Sequence, residues 1–116
     1  MPIVKKSLSQ APVKHVDSSL DVAELFEERD VRFGVAVAML NGSHGRIISE
    51  LSDKAYLILE GAGQVYVGDD VVDVAPMDLV YIPPNTEHGV KGDLKFLCIM
   101  SPPFDPAHDR ATGHKV

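Results

Sequence analysis

The sequence predicts an all-β fold, an antiparallel barrel or jelly roll, and two observations carry this prediction. From Val31 onward the chain breaks into short β-like runs, whereas a long helical period is hard to find. The runs end at residues that favour tight turns, such as Asn41-Gly42 and Pro83-Pro84-Asn85. Because many short strands leave many unpaired edges, a closed barrel or jelly roll is the architecture that hides them.

The predicted strands cover residues 32–40, 46–51, 55–59, 64–67, 71–74, 79–82 and 94–100. Several alternate apolar and polar residues, while residues 35–40 are continuously apolar, which is typical of a strand buried on both faces. We therefore expect a barrel over residues 31–101, an N-terminal extension over 1–30 and a C-terminal tail over 102–116 that is mostly loop.

The N-terminal extension is predicted to hold one short helix over residues 18–28. Ser18 or Ser19 would be its N-cap, and acidic residues follow in the first turn. Residues 3–16 look extended, and we expect them to pair with the sheet of a partner subunit in a homodimer, which would cover an edge.

Bulk composition indicates one globular domain that binds neither nucleic acid nor membrane. The 116 residues are 45% hydrophobic and 24% charged, with a net charge of −6. No block of Lys or Arg could follow a phosphate backbone, and no apolar run is long enough to span a membrane. The single cysteine, Cys98, excludes an internal disulfide and is expected to be a small buried hydrophobe. We expect a cytoplasmic protein.

The segment from Gly42 to Gly61 resembles the first conserved motif of the cupin superfamily. That motif runs Gly, five residues, His-x-His, three or four residues, Glu, six residues, Gly. With the three-residue spacing, Ile48 and Glu50 occupy the two His positions and Lys54 occupies the Glu position.

A second segment resembles the second cupin motif, which runs Gly, five residues, Pro-x-Gly, two residues, His, three residues, Asn. Here these positions hold Met77, Pro83, Asn85, His88 and Gly92, so that Pro and His match. The resemblance implies the cupin double-stranded β-helix, a jelly-roll-like antiparallel barrel.

In metal-binding cupins three His and one Glu converge from neighbouring strands and leave positions open for a substrate. This sequence keeps one His of the three, His88. Ile48 offers no lone pair, and Lys54 brings a cation where a divalent ion favours a carboxylate. The departures imply that the ordinary metal site is absent and that no cofactor is needed.

In the motif alignment Glu50, Lys54 and His88 all point into the barrel, because alternate strand residues share a face. One interpretation is structural, with Glu50 and Lys54 as an ion pair at the barrel mouth and His88 as a core histidine. Another is a metal-free catalytic site in which Lys54 holds an acidic group and His88 with Glu50 moves a proton.

A third interpretation keeps a divalent metal on a rearranged ligand set. Its members would be His88, Glu50 and one further residue, for which His44 is the first candidate and Asp53 and Tyr81 are the others. His44 lies in a turn beside the Glu50 strand, where a histidine more often faces solvent.

Three further residues are candidates for ligand binding: Arg46, Tyr81 and Phe104, the last of which could close the barrel mouth. The sequence thus predicts a barrel that binds a small polar or acidic metabolite, with metal-free isomerase or epimerase chemistry. The alternatives are a metal-dependent isomerase, lyase or dioxygenase, and a non-catalytic binding or structural module.

Overall fold

The protein is described by a computed structural model that covers residues 5–26 and 32–116. A short 3-10 helix, Leu8–Gln10, precedes eight strands in the described residues. The strands are β1 (Val13–Asp17), β2 (Leu20–Phe26), β3 (Gly34–Ser49), β4 (Asp53–Val67), β5 (Asp70–Val74), β6 (Leu79–Ile82), β7 (His88–Ser101) and β8 (Asp109–Ala111).

All strand pairs are antiparallel, in the order β1-β2-β3-β7-β4-β5. Strand β6 pairs with β4, and β8 pairs with β3. The prediction of an all-β antiparallel fold is confirmed. No helix in the described part of the chain is long and apolar enough to cross a membrane.

The helix predicted over residues 18–28 is wrong. Strands β1 and β2 form a hairpin whose turn is fixed by a hydrogen bond from the Ser19 backbone N–H to Asp17 Oδ1, at 2.8 Å. Leu20 and Val22 alternate along β2 and pack against the core. Pairing of β2 with β3 therefore outweighs the weak helix preference of this segment. Residues 27 and 28 lie outside the described residues.

The hairpin also changes the expectation for residues 3–16. Val13 to Asp17 pair with β2 of the same chain, which makes β1 the edge of the sheet. Residues 3 and 4 lie outside the described residues. The homodimer remains a prediction, and the exposed edge of β1 is where a second sheet could add.

Gly42, Gly63 and Gly92 lie where long strands bend together, and the predicted turn at Asn41-Gly42 lies within β3. Gly42 on β3 and Gly63 on β4 both lie opposite Gly92 on β7. A Cβ added to Gly63 would lie 2.2 Å from the carbonyl oxygen of Lys91. Glycine is needed here because the three backbones approach closely, and the long strands bend without ending.

The core fills the space between the sheet faces. Its largest buried members include Tyr56, Ile58 and Phe96, and the Tyr56 and Phe96 rings lie 4.7 Å apart between centroids. The C-terminal tail, expected to be mostly loop, contributes β8, which places Asp109 opposite Ser49. Strand β8 thereby brings Asp109 next to β3.

Candidate functional site

The barrel contains a cavity of about 490 Å³. Pockets of roughly 300–1,000 Å³ are typical for small organic ligands. Its walls are mainly apolar and include Val16, Leu20, Val22, Ala38, Leu40 and Phe96. Lys54 is one of the few polar residues on the wall. The cavity therefore offers a mainly apolar surface with a few polar groups, which also include Lys14, Glu24 and His44.

Lys54 and His88 form a buried pair on adjacent strands. The Lys54 side chain starts on β4 and is 5% exposed as a residue, and His88 at the start of β7 is 0% exposed. The Lys54 Nζ and His88 Nε2 atoms are 3.0 Å apart. Lys54 borders the cavity, and His88 lies behind it, with the Tyr56 ring edge-on to the imidazole at 6.2 Å between centroids.

The hydrogen bonds fix the tautomer of His88. Its Nδ1 lies 2.8 Å from the carbonyl oxygen of Thr86, which can only accept, so Nδ1 carries the proton. A neutral imidazole then has its lone pair on Nε2, which accepts a hydrogen bond from Lys54 Nζ. The arrangement holds the lysine nitrogen at the inner wall of the cavity.

Burial dominates the ionisation of both groups. It lowers the pKa of Lys54 below its usual 10.5, and the charges of Cys98 and Asp109 only partly oppose this. Burial, together with the neighbouring Lys54 charge, lowers the pKa of His88 to about 4. His88 is therefore a neutral acceptor at neutral pH, and Lys54 loses its proton more readily than a surface lysine.

Two oxygen atoms near this pair lack a hydrogen-bond partner among the described residues: Ser49 Oγ and Asp109 Oδ1. Both are buried, and the two residues lie opposite one another on β3 and β8. The Asp109 charge raises the pKa values of both Lys54 and His88, which places it within electrostatic reach of them. Unsatisfied buried oxygens are costly. Neither Ser49 nor Asp109 borders the cavity, so these oxygens lie beside it.

Neither Ser49 nor Asp109 was among the site residues predicted from sequence. Ser49 could have been found by choosing the four-residue spacing of the first motif, which places Ile47 and Ser49 in the two His positions and leaves Lys54 in the Glu position. Nothing in the local sequence identifies Asp109, because its approach depends on β8 pairing with β3.

The prediction that Glu50 points into the barrel with Lys54 and His88 is wrong. A bulge in β3 is the cause: β7 advances by two residues from Val90 to His88 while β3 advances by three, from His44 to Ile47. The extra residue reverses the faces, so Ile47 borders the cavity. The predicted Glu50–Lys54 ion pair is likewise not formed.

Glu50 instead takes part in a cluster with the tail. Its carboxylate lies 3.5 Å from His108 Nδ1 and 3.9 Å from Arg110. Ile48, the other residue assigned to a His position, lies opposite Arg110 in the β3–β8 pairing. Neither Ile48 nor Glu50 borders the cavity, whereas Ile47 does.

The remaining sequence candidates are distributed around the barrel. Arg46 donates to the carbonyl oxygen of Gly68 at 2.9 Å and does not border the cavity. Tyr81 is 60% exposed and donates its hydroxyl hydrogen to Asp53. Phe104 is 62% exposed but borders the cavity, as expected for a residue at its mouth.

His44 also borders the cavity, but its Nδ1 is 2.8 Å from Asp17 Oδ2. Among the described residues, no group of three or more His, Cys, Asp or Glu side chains is arranged to hold a metal. The rearranged ligand set of His88, Glu50 and His44 is therefore not assembled, and neither Asp53 nor Tyr81 completes one.

The four ligand positions of a metal-binding cupin do not fit a divalent ion in this chain. They hold Ile47, Ser49, Lys54 and His88, and the single imidazole already accepts a hydrogen bond from the lysine. A cation at one position and a hydrocarbon at another remove both charge and donor atoms. We therefore derive no chemistry through a metal.

Cys98 borders the same cavity, and burial raises the pKa of its thiol to about 11. A thiol with such a pKa is almost fully protonated at neutral pH, so it is a poor nucleophile. Cys98 thus contributes apolar wall, in keeping with the expectation from its sequence context.

The bulge in β3 predicts that side chains at positions 47 and 49, and not those at 48 and 50, can hold a metal ion together with His88. A variant combining Ile47→His, Ser49→His and Lys54→Glu should retain Zn²⁺ or Ni²⁺ after desalting, because three imidazoles and a carboxylate then face one another. The readouts are metal content and the metal-dependent rise in Tm.

The matched control places the same side chains one residue along, as Ile48→His, Glu50→His and Lys54→Glu. It should bind no metal at the barrel centre, because positions 48 and 50 face the tail. Metal retention by this control and not by the first variant would contradict the β3–β7 pairing in which Ile47, and not Ile48, lies opposite His88.

The barrel, its cavity and the positions of the motif residues define the class of protein. It is a small β-barrel with an internal site at the cupin ligand positions. The sequence profile of the cupin domain matches residues 42–100. The chain belongs to the cupin family, as its motifs predicted.

One curated relative is the uncharacterized protein MJ1618 of Methanocaldococcus jannaschii. It is 37% identical over 57 residues, which are 46% of this chain and 46% of the relative. The matched region thus spans under half the length of that relative.

Solved structures extend the likeness over nearly the whole fold. Pac13 from Streptomyces, a nucleoside dehydratase solved with uridine, has a TM-score of 0.86 and 18% identity, covering 97% of this chain and 93% of its own. A predicted oxalate decarboxylase from Thermotoga maritima has a TM-score of 0.77 and 18% identity, covering 84% and 98%. At these identities the likeness shows the shared fold.

Proposed function

We propose that this cupin binds a small organic molecule in its barrel without a metal. The polar group of the ligand contacts Lys54, and its apolar part lies along the cavity walls. The observation that carries the proposal is the buried Lys54–His88 pair, which meets the cavity through Lys54. A buried amine retained beside an apolar cavity is costly, and a ligand partner gives it a role.

The pair supports acid–base chemistry on the bound ligand. Neutral His88 can accept a proton through Nε2, and Lys54 can pass a proton between His88 and the ligand. Asp109 supplies a negative charge that favours the protonated pair. An isomerisation or elimination that moves one proton is the reaction class these groups fit.

The fold likeness is compatible with this class. Pac13 is a nucleoside dehydratase, and elimination of water needs a proton donor and acceptor at the substrate. Its ligand uridine suggests a first compound to test here. Glu50 has no part in the proposed chemistry, because it pairs with His108 and Arg110.

A non-catalytic binding role is the second candidate. His88 is fully buried and does not border the cavity, which limits its direct contact with a ligand. In that case Lys54 would recognise an acidic or carbonyl group, and His88 would only hold the lysine in place. Turnover of a bound ligand separates the two candidates.

Lys54→Met is expected to abolish ligand binding while keeping the fold. Methionine has a similar length but no donor, so the polar contact disappears while the apolar wall remains. Binding of small carboxylates, carbonyl compounds and uridine is measured by calorimetry and ligand-observed NMR.

The matched control is Lys91→Met, which removes an exposed lysine from β7. It should bind as wild type does. Equal binding by wild type and Lys54→Met would remove the central contact of the proposal, and absence of binding by wild type to every compound class would remove the proposal itself.

A further inference from the structure

The Lys54 amine has an uncommon environment for a lysine. It borders a mainly apolar cavity, and its Nζ lies 3.0 Å from an uncharged imidazole nitrogen, His88 Nε2. Lysines that react with carbonyl compounds need a neutral amine in a desolvated pocket next to room for the substrate. Lys54 Nζ is desolvated and lies next to such room, and burial lowers its pKa, which increases the fraction of neutral amine.

We propose that Lys54 is a nucleophile that forms an imine with an aldehyde or ketone bound in the barrel cavity. This inference rests on the proposed binding function and names its substrate class. The apolar walls favour a carbonyl compound with a short hydrocarbon chain, because such a chain gains free energy by leaving water.

The groups that face Lys54 come from three strands. Tyr56 neighbours it on β4, His88 and Cys98 approach from β7, and Asp109 approaches from β8. Burial lowers the pKa of Lys54, while the charges of Cys98 and Asp109 oppose the change. Burial itself raises the pKa values of Cys98 and Tyr56, so both groups are protonated near neutral pH.

Imine formation can proceed with the groups in place. The Nζ lone pair forms a C–N bond as the carbonyl π bond breaks, and one proton passes from nitrogen to oxygen through a water molecule in the cavity, while the hydrogen bond to His88 Nε2 holds Nζ in place. The resulting carbinolamine loses its hydroxyl group, which leaves as water with the second amine proton. The products are a neutral imine and one water molecule, which carries the carbonyl oxygen and both amine protons.

His88 acts through Lys54 in this scheme, since it does not border the cavity. It is a positioning residue, while Lys54 is the catalytic residue. An imine also lowers the pKa of the neighbouring C–H bond of the substrate. The same site could then move that proton, as the proposed isomerisation or elimination requires.

The test is reductive trapping of the intact protein with butanal and sodium cyanoborohydride near neutral pH. Mass spectrometry should show one early adduct, with the mass of butanal less one oxygen atom. Peptide mapping should place it on Lys54 ahead of the surface lysines Lys91 and Lys95.

Lys54→Arg is the informative variant, because arginine keeps a long side chain with hydrogen-bond donors but forms no such imine. The early adduct should be lost in this variant and kept in Lys91→Arg. A circular dichroism melt confirms that each variant is folded. If Lys54→Arg fails to fold, protection of Lys54 from trapping by excess non-reactive butanamide in wild type gives the same information.

The outcomes separate this inference from the proposed function. Ligand binding that depends on Lys54, with trapping only on surface lysines, would overturn the nucleophile and leave the binding function intact. Surface-only trapping together with no binding by any compound would overturn both. Early trapping on Lys54 that is lost in Lys54→Arg supports the nucleophile.

Discussion

Acidification is expected to destabilise this protein by about 3 kcal/mol through His88 alone. The pKa of His88 is lowered from 6.5 to about 4 in the folded protein, mainly by burial and then by the Lys54 charge. The unfolded chain therefore binds more protons between these values, so the free energy of unfolding falls as pH decreases through this window. Below about pH 4 both states are protonated at His88, and its contribution changes no further.

The measurement is urea denaturation of wild type and His88→Gln across this range. Glutamine offers a donor and an acceptor but does not titrate, so its stability should fall less steeply with decreasing pH. His114→Gln is the matched control, because His114 is exposed and pairs with Glu87 on the surface. Parallel pH profiles for wild type and His88→Gln would show that His88 is not buried in its neutral form.

Gly61→Ala is expected to lower the free energy of unfolding by about 2–5 kcal/mol. Gly61 has a φ of +85°, where an alanine costs about 1–2 kcal/mol. An added Cβ would also lie 1.9 Å from the carbonyl oxygen of Asp93 on β7. Because that oxygen belongs to the backbone of a paired strand, β4 and β7 must separate locally, at about 1–3 kcal/mol more.

Gly113→Ala provides the control for the backbone strain. Gly113 has the same φ of +85°, but nothing lies within 4 Å of its added Cβ. The decrease in the free energy of unfolding of Gly113→Ala should therefore be limited to the backbone strain of about 1–2 kcal/mol. Equal losses in the two variants, measured by urea denaturation, would mean that the close approach of β4 and β7 at Gly61 carries no extra cost.

The sequence determined the fold class because its information is local and repeated. Short alternating runs bounded by Gly, Pro and Asn predict an antiparallel β fold wherever they occur. The motif spacings placed Lys54 and His88 at two of the four cupin ligand positions, and the structure brings these two residues into contact. Both residues lie in regular strand, where counting along the chain gives the correct face.

Alternation along the chain predicted the wrong face where the pairing of β3 with β7 is irregular. The motif alignment predicted that Glu50 faces inward and shares that face with Ile48, because side chains alternate along an unbroken strand. The extra residue in β3 between His44 and Ile47 reverses the face, and a bulge depends on how β3 pairs with β7. Ser49 therefore enters the site, and Glu50 turns to the tail.

Long-range pairing decided the other differences. Residues 18–26 have an acceptable helical pattern, but β3 offers an open edge, and β2 pairs with it. Asp109 reaches the site only because β8 pairs with β3, some 60 residues earlier in the chain. Local sequence thus determined the all-β class and the placement of Lys54 and His88. The tertiary structure decided the extent of the strands and which further side chains surround that pair, because strand partners and bulges are properties of two chain segments at once.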